Sequence, residues 1–179
     1  LVAEYTALSN VAAMPIHPCI FVLGGGKISD AFGMMRNVLV NKTADKILCG
    51  GITALVMLIA KEVDLGMATK KLLEDRDLLV FIEQGRELLK QFPDAFIVPS
   101  DLAYELDGKR EEAGIEEIDG SPAFSSKLFP DLGSKSIELY KQEIAQAGSI
   151  FVNGPAGVYE DERWEKATKE IWQAIAASK

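Results

Sequence analysis

Short unbroken apolar runs alternate along this chain with longer stretches in which apolar residues recur every three or four positions, the two patterns that mark buried strands and one-sided helices. Cys19 to Leu23, Ile47 to Cys49, Ala95 to Val98 and Ile150 to Val152 are the runs, and none is interleaved with polar residues, as expected of strands covered on both faces. The helical patterns lie between them. Behind a cap at Ser29 or Asp30, Phe32, Met35, Val38 and Leu39 share one face. Thr53 to Glu62 predicts a second helix, Asp64 to Met67 a turn, Lys70 to Phe92 a mostly helical stretch, and Ser134 to Ala147 a helix before the fourth run. Asp161 to Ala177 closes the chain as an amphipathic helix with Trp164, Thr168, Ile171, Trp172 and Ile175 on one side, which puts both Trp in the core. At the start, Val2, Tyr5, Leu8 and Val11 predict a helix over Leu1 to Ala13, stopped by Pro15 and Pro18.

Strands that alternate with helices and have no hairpin dipeptide between them predict a right-handed parallel sheet. The fold class is therefore α/β, a Rossmann-like three-layer sandwich. Residues 101–130 break the pattern: Tyr104, Leu106, Ile115 and Ile118 alternate around glycines, which predicts a small antiparallel excursion at the surface. With 179 residues, 48% apolar and 26% charged, the chain suits one domain with a sizeable core.

Three of the runs end in glycine. The first continues as Gly24-Gly25-Gly26-Lys27-Ile28-Ser29-Asp30, the second as Gly50-Gly51, and the last as Asn153-Gly154-Pro155-Ala156-Gly157. Glycines let backbone N–H groups approach an anion, a following helix N-terminus adds its positive end, and Lys27 adds a point charge, so this is the grammar of a phosphate site. Each loop taken singly also reads as a tight strand-to-helix turn with a solvated lysine, but three at one sheet edge favour a shared ligand. Neither familiar nucleotide loop fits. The P-loop requires Ser or Thr where Ile28 follows Lys27, and the dinucleotide fingerprint meets Ser29 where its third glycine should stand.

Composition narrows the partners. A net charge of −8 and a sequence pI near 4.8 repel nucleic acid and anionic membranes, so any phosphate must be held locally. The longest strongly apolar stretch, Ile52 to Ala60, is well short of the roughly 20 residues of a membrane span. Cys19 and Cys49 lack metal-ligand spacing and read as buried thiols, in keeping with a reducing, cytoplasmic setting. His17, the single histidine, has no nucleophile or ligand partner nearby and reads as structural or solvated. No catalytic residue and no metal ligand is assigned from these patterns.

In these motifs the chain resembles the carboxyl-terminal half of phosphoglycerate kinases, the archaeal branch above all. Gly24 to Asp30 is similar to the family's Gly-Gly-Ala-Lys-Val-Ser-Asp, and Cys49-Gly50-Gly51-Ile52 to its Gly-Gly-Gly-Met. Ile97 to Asp101 looks like its Leu-Pro-x-Asp, and Asp131 to Ser136 like Asp-x-Gly-Pro-x-Ser/Thr. Most specific is Val152 to Glu160, close to Trp-Asn-Gly-Pro-x-Gly-Val-Phe-Glu. The five motifs span nearly the whole chain in the family's order.

The resemblance implies an ATP/ADP-binding domain that takes part in reversible phosphoryl transfer from 1,3-bisphosphoglycerate to ADP, giving ATP and 3-phosphoglycerate. It implies that Gly25, Gly26 and Lys27 hold nucleotide phosphates, that Gly50, Gly51, Gly157 and Val158 shape the adenosine pocket, that Asn153 lies near the phosphates, and that Glu160 accepts hydrogen bonds from the ribose. Glu160 also reads as a solvated neighbour of the last helix's start. Three departures stand out. Ala31 replaces a second lysine that archaeal members also lack, and Phe129-Pro130 replaces a Gly-Leu pair of the adenine pocket. The chain also ends before the family's Gly-Gly-Gly-Asp loop, which holds Mg²⁺, and lacks the amino-terminal substrate half, so residues 1–179 are expected to be an inactive fragment on their own. The competing readings are a nucleotide- or dinucleotide-binding domain of another enzyme and a non-catalytic α/β module.

Overall fold

The structure, a computed structural model, describes residues 14–178. The helix expected over Leu1 to Ala13 lies outside them. Four strands, β1 (Cys19–Leu23), β2 (Lys46–Cys49), β3 (Phe96–Ile97) and β7 (Ser149–Asn153), form a parallel sheet in the order β3-β2-β1-β7. Helices α1 (Ile28–Val40), α2 (Gly51–Ala60) and α4 (Val80–Gln91) pack on one another, and α6 (Ser134–Ala145) packs on α7 (Lys166–Ala177). Right-handed crossovers put these two groups on opposite faces, which gives the three layers expected. β1 is buried along its whole length, whereas β7 at the sheet edge is half-exposed throughout.

The apolar stretch from Lys70 to Phe92 is not one helix. It divides into α3 (Gly66–Glu74) and α4. Asp77 adopts a left-handed conformation (φ 56°), and the Leu78 N–H donates back to the Leu73 carbonyl at 2.8 Å, a helix-ending turn that periodicity does not reveal. The expected pair of core Trp also divides. Trp164 is buried, but Trp172 is 53% exposed, because the buried stripe of α7 runs through Ala167 and Ile171 and Trp172 is one position off it. His17 is structural: it lies 2.5 Å from Asp45, whose carboxylate also accepts the Cys19 N–H at 2.6 Å and so ties the approach segment to β1. Cys19 and Cys49 are buried, and burial pushes their thiols up to about 11 and about 12.

The excursion is a second sheet. β4 (Asp101–Leu106) and β5 (Lys109–Gly114) form a hairpin, and β6 (Asp131–Leu132) pairs with β4, all antiparallel. Asp107 and Gly108 turn the hairpin with φ of 51° and 78°, the twist that two-residue turns require. Ile115 and Ile118 are not in a strand. They lie on one turn of helix, α5 (Ile115–Ile118), where their three-residue spacing brings them to the same side.

This small sheet is joined to α6 through carboxylates. Asp101 is buried and accepts the N–H groups of Lys135 (3.0 Å) and Ser136 (2.8 Å), while Glu112 accepts that of Ser134 (2.8 Å). The α6 N-terminus, a natural anion site, is thereby closed by the protein's own acids. Tyr140 of α6 shares its hydroxyl proton between the Cys49 and Ile97 carbonyls, at 2.6 and 3.0 Å, and pins the helix across the ends of β2 and β3.

At the carboxyl edge, the loops after β1 and β2 both meet the loop after β7 backbone to backbone. The Gly24 N–H donates to the Asn153 carbonyl (2.8 Å), Gly25 to Pro155 (2.7 Å) and Gly51 to Ala156 (2.6 Å). A Cβ on Gly24 would lie 2.1 Å from the Pro155 oxygen, a backbone atom that cannot swing aside. Gly24→Ala should therefore force the seam open and destabilise the fold by about 1–3 kcal/mol, read as a lower urea midpoint. An unchanged midpoint would show that the seam yields without strain.

Asp131 and Glu112 make opposite predictions for pH. Burial pushes the Asp131 carboxyl up to about 6, against the hydrogen bond from Ala167 and the nearby Arg110. Its folded pKa thus exceeds the unfolded value of about 3.9, so stability grows as pH falls from 7 through 6. For Glu112 burial is outweighed by hydrogen bonds from Arg110 and Ser134, which hold it at about 2. Its contribution is present above the unfolded value of about 4.3 and fades as pH falls from there towards 2. The thermal midpoint should rise on acidification from pH 7.5 to 5 and drop below about pH 4. In Asp131→Asn the rise should vanish and the acid drop remain, as followed by circular dichroism.

Candidate functional site

Next to the seam is a cleft of about 510 Å³. The loop after β1 contributes Gly25 and Gly26, α2 contributes Gly51, Ile52 and Leu55, and α3 with its closing turn contributes Leu72 and Arg76. The opposite wall is made by Leu128, Phe129 and Pro130, followed by Pro155, Gly157, Val158 and Glu160 of the loop after β7. Six residues singled out in the sequence, Gly25, Gly26, Gly51, Gly157, Val158 and Glu160, thus line a single cavity at the carboxyl ends of parallel strands, where open α/β sheets hold ligands.

The other three stand beside it. Lys27 is exposed and forms the N-cap of α1, next to Gly26. Gly50 is buried behind the cleft, its N–H donating to the Leu23 carbonyl at 2.8 Å. Asn153 ends β7, its carbonyl occupied by the Gly24 N–H.

The glycines have more than one job. The N–H groups of Gly25 and Gly51 are already bonded across the seam, so these glycines serve close packing of loops and their amides are not free for an anion. Gly157 passes so near Asp131 that a Cβ there would lie 2.3 Å from its Oδ1. Gly26 is different. It is exposed, and a Cβ on it would meet nothing within 4 Å, so packing does not explain it. It leads straight into α1, whose N-terminus has no side-chain cap. At this edge the α6 N-terminus is closed by carboxylates, whereas α1 presents its positive end beside Lys27.

The loop from Pro155 to Glu160 is held from behind. The Thr168 hydroxyl of α7 accepts the N–H groups of Ala156 (3.0 Å) and Gly157 (3.3 Å), and the Pro130 carbonyl accepts that of Val158 (2.8 Å). Arg163 grips Asp161 at 2.7 Å and reaches Glu105 of the hairpin at 2.8 Å, which fastens the chain just past Glu160. Glu160 itself is exposed at the mouth of the cleft. Phe129 is buried against Tyr104 and Phe124, so the Phe129-Pro130 departure makes the wall apolar and firm.

Leu72 and Arg76 were not legible as site residues. Leu72 sits on an apolar stripe that reads as core, and Arg76 reads as one more charge on a solvated helix face. Among the described residues, no group of three or more His, Cys, Asp or Glu is placed to hold a metal ion, and no helix is long and apolar enough to cross a membrane.

Known proteins share both the sequence and this architecture. The family profile described as phosphoglycerate kinase matches residues 1–179. The phosphoglycerate kinase of Methanopyrus kandleri is 37% identical over 176 residues, covering 98% of this chain and 42% of that protein, and that of Methanothermus fervidus is 35% identical over 97% of this chain and 40% of its own length. The crystal structure of phosphoglycerate kinase from Pyrococcus horikoshii OT3 superposes with a TM-score of 0.92 at 32% identity, over 99% of this chain and 44% of that one. The Coxiella burnetii enzyme gives 0.81 at 28% identity. The chain spans about two fifths of the length of the curated relatives it matches. With the profile matched from end to end and archaeal relatives above 30% identity, the chain belongs to the phosphoglycerate kinase family.

Proposed function

We propose that this chain is the nucleotide-binding half of a two-domain phosphoglycerate kinase, and that its cleft holds ATP or ADP. The reaction moves the phosphoryl group of 1,3-bisphosphoglycerate from its carboxyl oxygen to the terminal phosphate oxygen of ADP, leaving ATP and 3-phosphoglycerate. The observation that carries this reading is the convergence of Gly25, Gly26, Gly51, Gly157, Val158 and Glu160 on one cleft, with Lys27 and the uncapped α1 N-terminus directly following Gly26. Phosphoryl transfer asks little covalent chemistry of a protein and much positioning and charge neutralisation.

Each part has a task in this reading. Phosphates lie across Gly26 onto the α1 N-terminus, where Lys27 offsets their charge. The apolar wall takes the base, and Glu160 accepts hydrogen bonds from the two ribose hydroxyls. Asn153 and Gly50 act behind this surface, fixing the strand ends. Beside Gly26 the positive charge is that of Lys27 and the helix terminus, and Mg²⁺ would arrive with the nucleotide. The cleft is open on one side, and a second domain carrying the phosphoglycerate would have to close over it to exclude water. Alone, the chain should bind nucleotide without turnover. A cytoplasmic setting suits its two buried free thiols.

Calorimetric titration with ADP, ATP, adenosine and NAD tests the reading, ADP and ATP being expected to bind and NAD not. Gly26→Ala meets no atom within 4 Å, so stability should stay within about 0.5 kcal/mol while ADP affinity falls. Lys27→Ala should weaken ADP and ATP roughly tenfold and leave adenosine nearly unaffected. Equal loss for all three ligands would mean a damaged fold rather than a lost phosphate contact.

Glu160 is tested separately. Wild-type protein should bind ATP several-fold more tightly than dideoxy-ATP, because only ATP can donate its ribose hydroxyls to the carboxylate. Glu160→Gln should remove most of that preference and keep the effect of Lys27. If only thermal stability changes, Glu160 merely supports the start of the last helix region and does not hold the sugar.

A further inference from the structure

One buried carboxylate stands directly behind the cleft and has no task in the reading above. Asp131 follows the wall residue Pro130, its side chain is fully buried, and its Oδ1 is unpartnered among the described residues. Its Oδ2 accepts the Ala167 N–H of α7 at 3.2 Å and lies 3.4 Å from Arg110 of β5. Oδ1 lies against the wall itself. Of all atoms it comes closest to the point that a Gly157 Cβ would occupy, and the Pro130 carbonyl oxygen is next, at 2.8 Å. That carbonyl also accepts the Val158 N–H at 2.8 Å, so Asp131 and three residues of the cleft wall meet at one place. Other charges on the elements packed around Asp131 are committed elsewhere. Glu112 on β5 is held by Arg110 and Ser134, and Asp101 on β4 by the α6 N-terminus. Lys166 on α7 donates to the Ser134 hydroxyl at 2.6 Å, and Glu165 just before it pairs with Lys169 at 3.3 Å. Lys135 on α6 and Glu160 on the loop are exposed.

We infer that Asp131 is a positioning residue of the nucleotide cleft, which sets the wall of Pro130, Gly157 and Val158 from behind and takes up a proton when nucleotide binds. This rests on the nucleotide reading of the cleft. As a carboxylate, Asp131 sets a negative Oδ1 beside the electron-rich Pro130 carbonyl, and the two oxygens repel. As a neutral acid it has an O–H to donate, and that carbonyl is the acceptor at hand. Burial already pushes the carboxyl of the free chain up to about 6, against the hydrogen bond from Ala167 and the charge of Arg110. A nucleotide on the wall acts in the same direction, because it excludes water from the face of Gly157 and brings negative phosphates into the cleft. The pKa of this acid is then higher in the complex than in the free chain, and binding takes up a proton between the two values. Affinity is therefore greatest below about pH 6, where both forms are protonated, and declines as pH rises from there to the pKa of the complex.

Calorimetric titration of the full chain with ADP at about pH 5.5 and about pH 8, for the wild type and for Asp131→Asn, decides the matter. The terminal phosphate of ADP titrates in the same range, so variant and wild type are compared at each pH. Asn keeps the shape, still accepts from Ala167, and carries the donor of the neutral acid without the charge of the carboxylate. The variant should match the wild type within about twofold at the lower pH and bind ADP about threefold or more tightly than it at the higher pH. A gain of this kind requires a folded protein and so cannot come from damage. At about pH 6.5, in buffers of different ionisation enthalpy, the wild type should also take up a larger fraction of a proton per ADP bound than the variant. Parallel affinities at the two pH values with equal proton uptake would make Asp131 a structural residue only, and weaker binding by the variant at both would make its charge a support of the site; either result overturns the inference. Failure of ADP to bind the wild type would remove the nucleotide reading as well, whereas binding with no difference between wild type and variant removes this inference alone.

Discussion

Everything at the carboxyl edge depends on one seam in which the loops after β1 and β2 touch the loop after β7 through their backbones. Gly24, Gly25 and Gly51 donate to Asn153, Pro155 and Ala156 at 2.6–2.8 Å, and the chain approaches so closely there that a single methyl group on Gly24 would enter the Pro155 oxygen. Backbone contacts of this kind are short, directional and largely indifferent to neighbouring side chains. They fix the loop after β1 against the loop after β7, and so set the width of the cleft that the two loops share. α7 completes the arrangement from behind through Thr168.

The seam alters how a glycine-rich edge should be understood. Glycines near a phosphate site are commonly credited with opening amides to the anion, yet here most of them let one strand of backbone lie against another. The amides they release are consumed in doing so. What remains for an anion is narrow: the exposed Gly26, the uncapped start of α1, and Lys27. An acidic protein can hold a polyphosphate on these terms because the field of a helix terminus and one lysine is local, while the net charge of −8 acts over the whole surface. The carboxylates of Asp101 and Glu112 are spent on the neighbouring α6 N-terminus, which keeps a competing anion site closed.

The small antiparallel sheet is the counterpart of this economy. Its hairpin carries Glu105, which holds Arg163, and Glu112, which holds the start of α6, while Tyr104 supports the wall residue Phe129. It contributes no residue of its own strands to the lining, yet it steadies both the wall from Leu128 to Pro130 and the loop bearing Val158 and Glu160. Buried Asp131 at its edge has an Oδ1 that is unpartnered among the described residues. Its carboxyl is pushed up to about 6 because burial outweighs the hydrogen bonds it receives.

The sequence by itself determined the layer order, the four parallel strands and the edge at which the glycines gather, because these follow from unbroken apolar runs, from helical periodicity and from the handedness of crossovers. It also carried the motifs by which Val152 to Glu160 and Gly24 to Asp30 resemble the phosphoglycerate kinase family. It did not determine where helices stop when a non-glycine residue takes the left-handed turn, as Asp77 does, since that depends on whether the flanking helices have partners to pack on. For the same reason Trp172 looked like core: one position of helix rotation decides burial, and only the packing of α7 on α6 sets that rotation. Arg76 belongs to the tertiary structure entirely. It lines the cleft from the turn just past the end of α3 at Glu74, and no local pattern distinguishes it from a solvated arginine on a continuous helix.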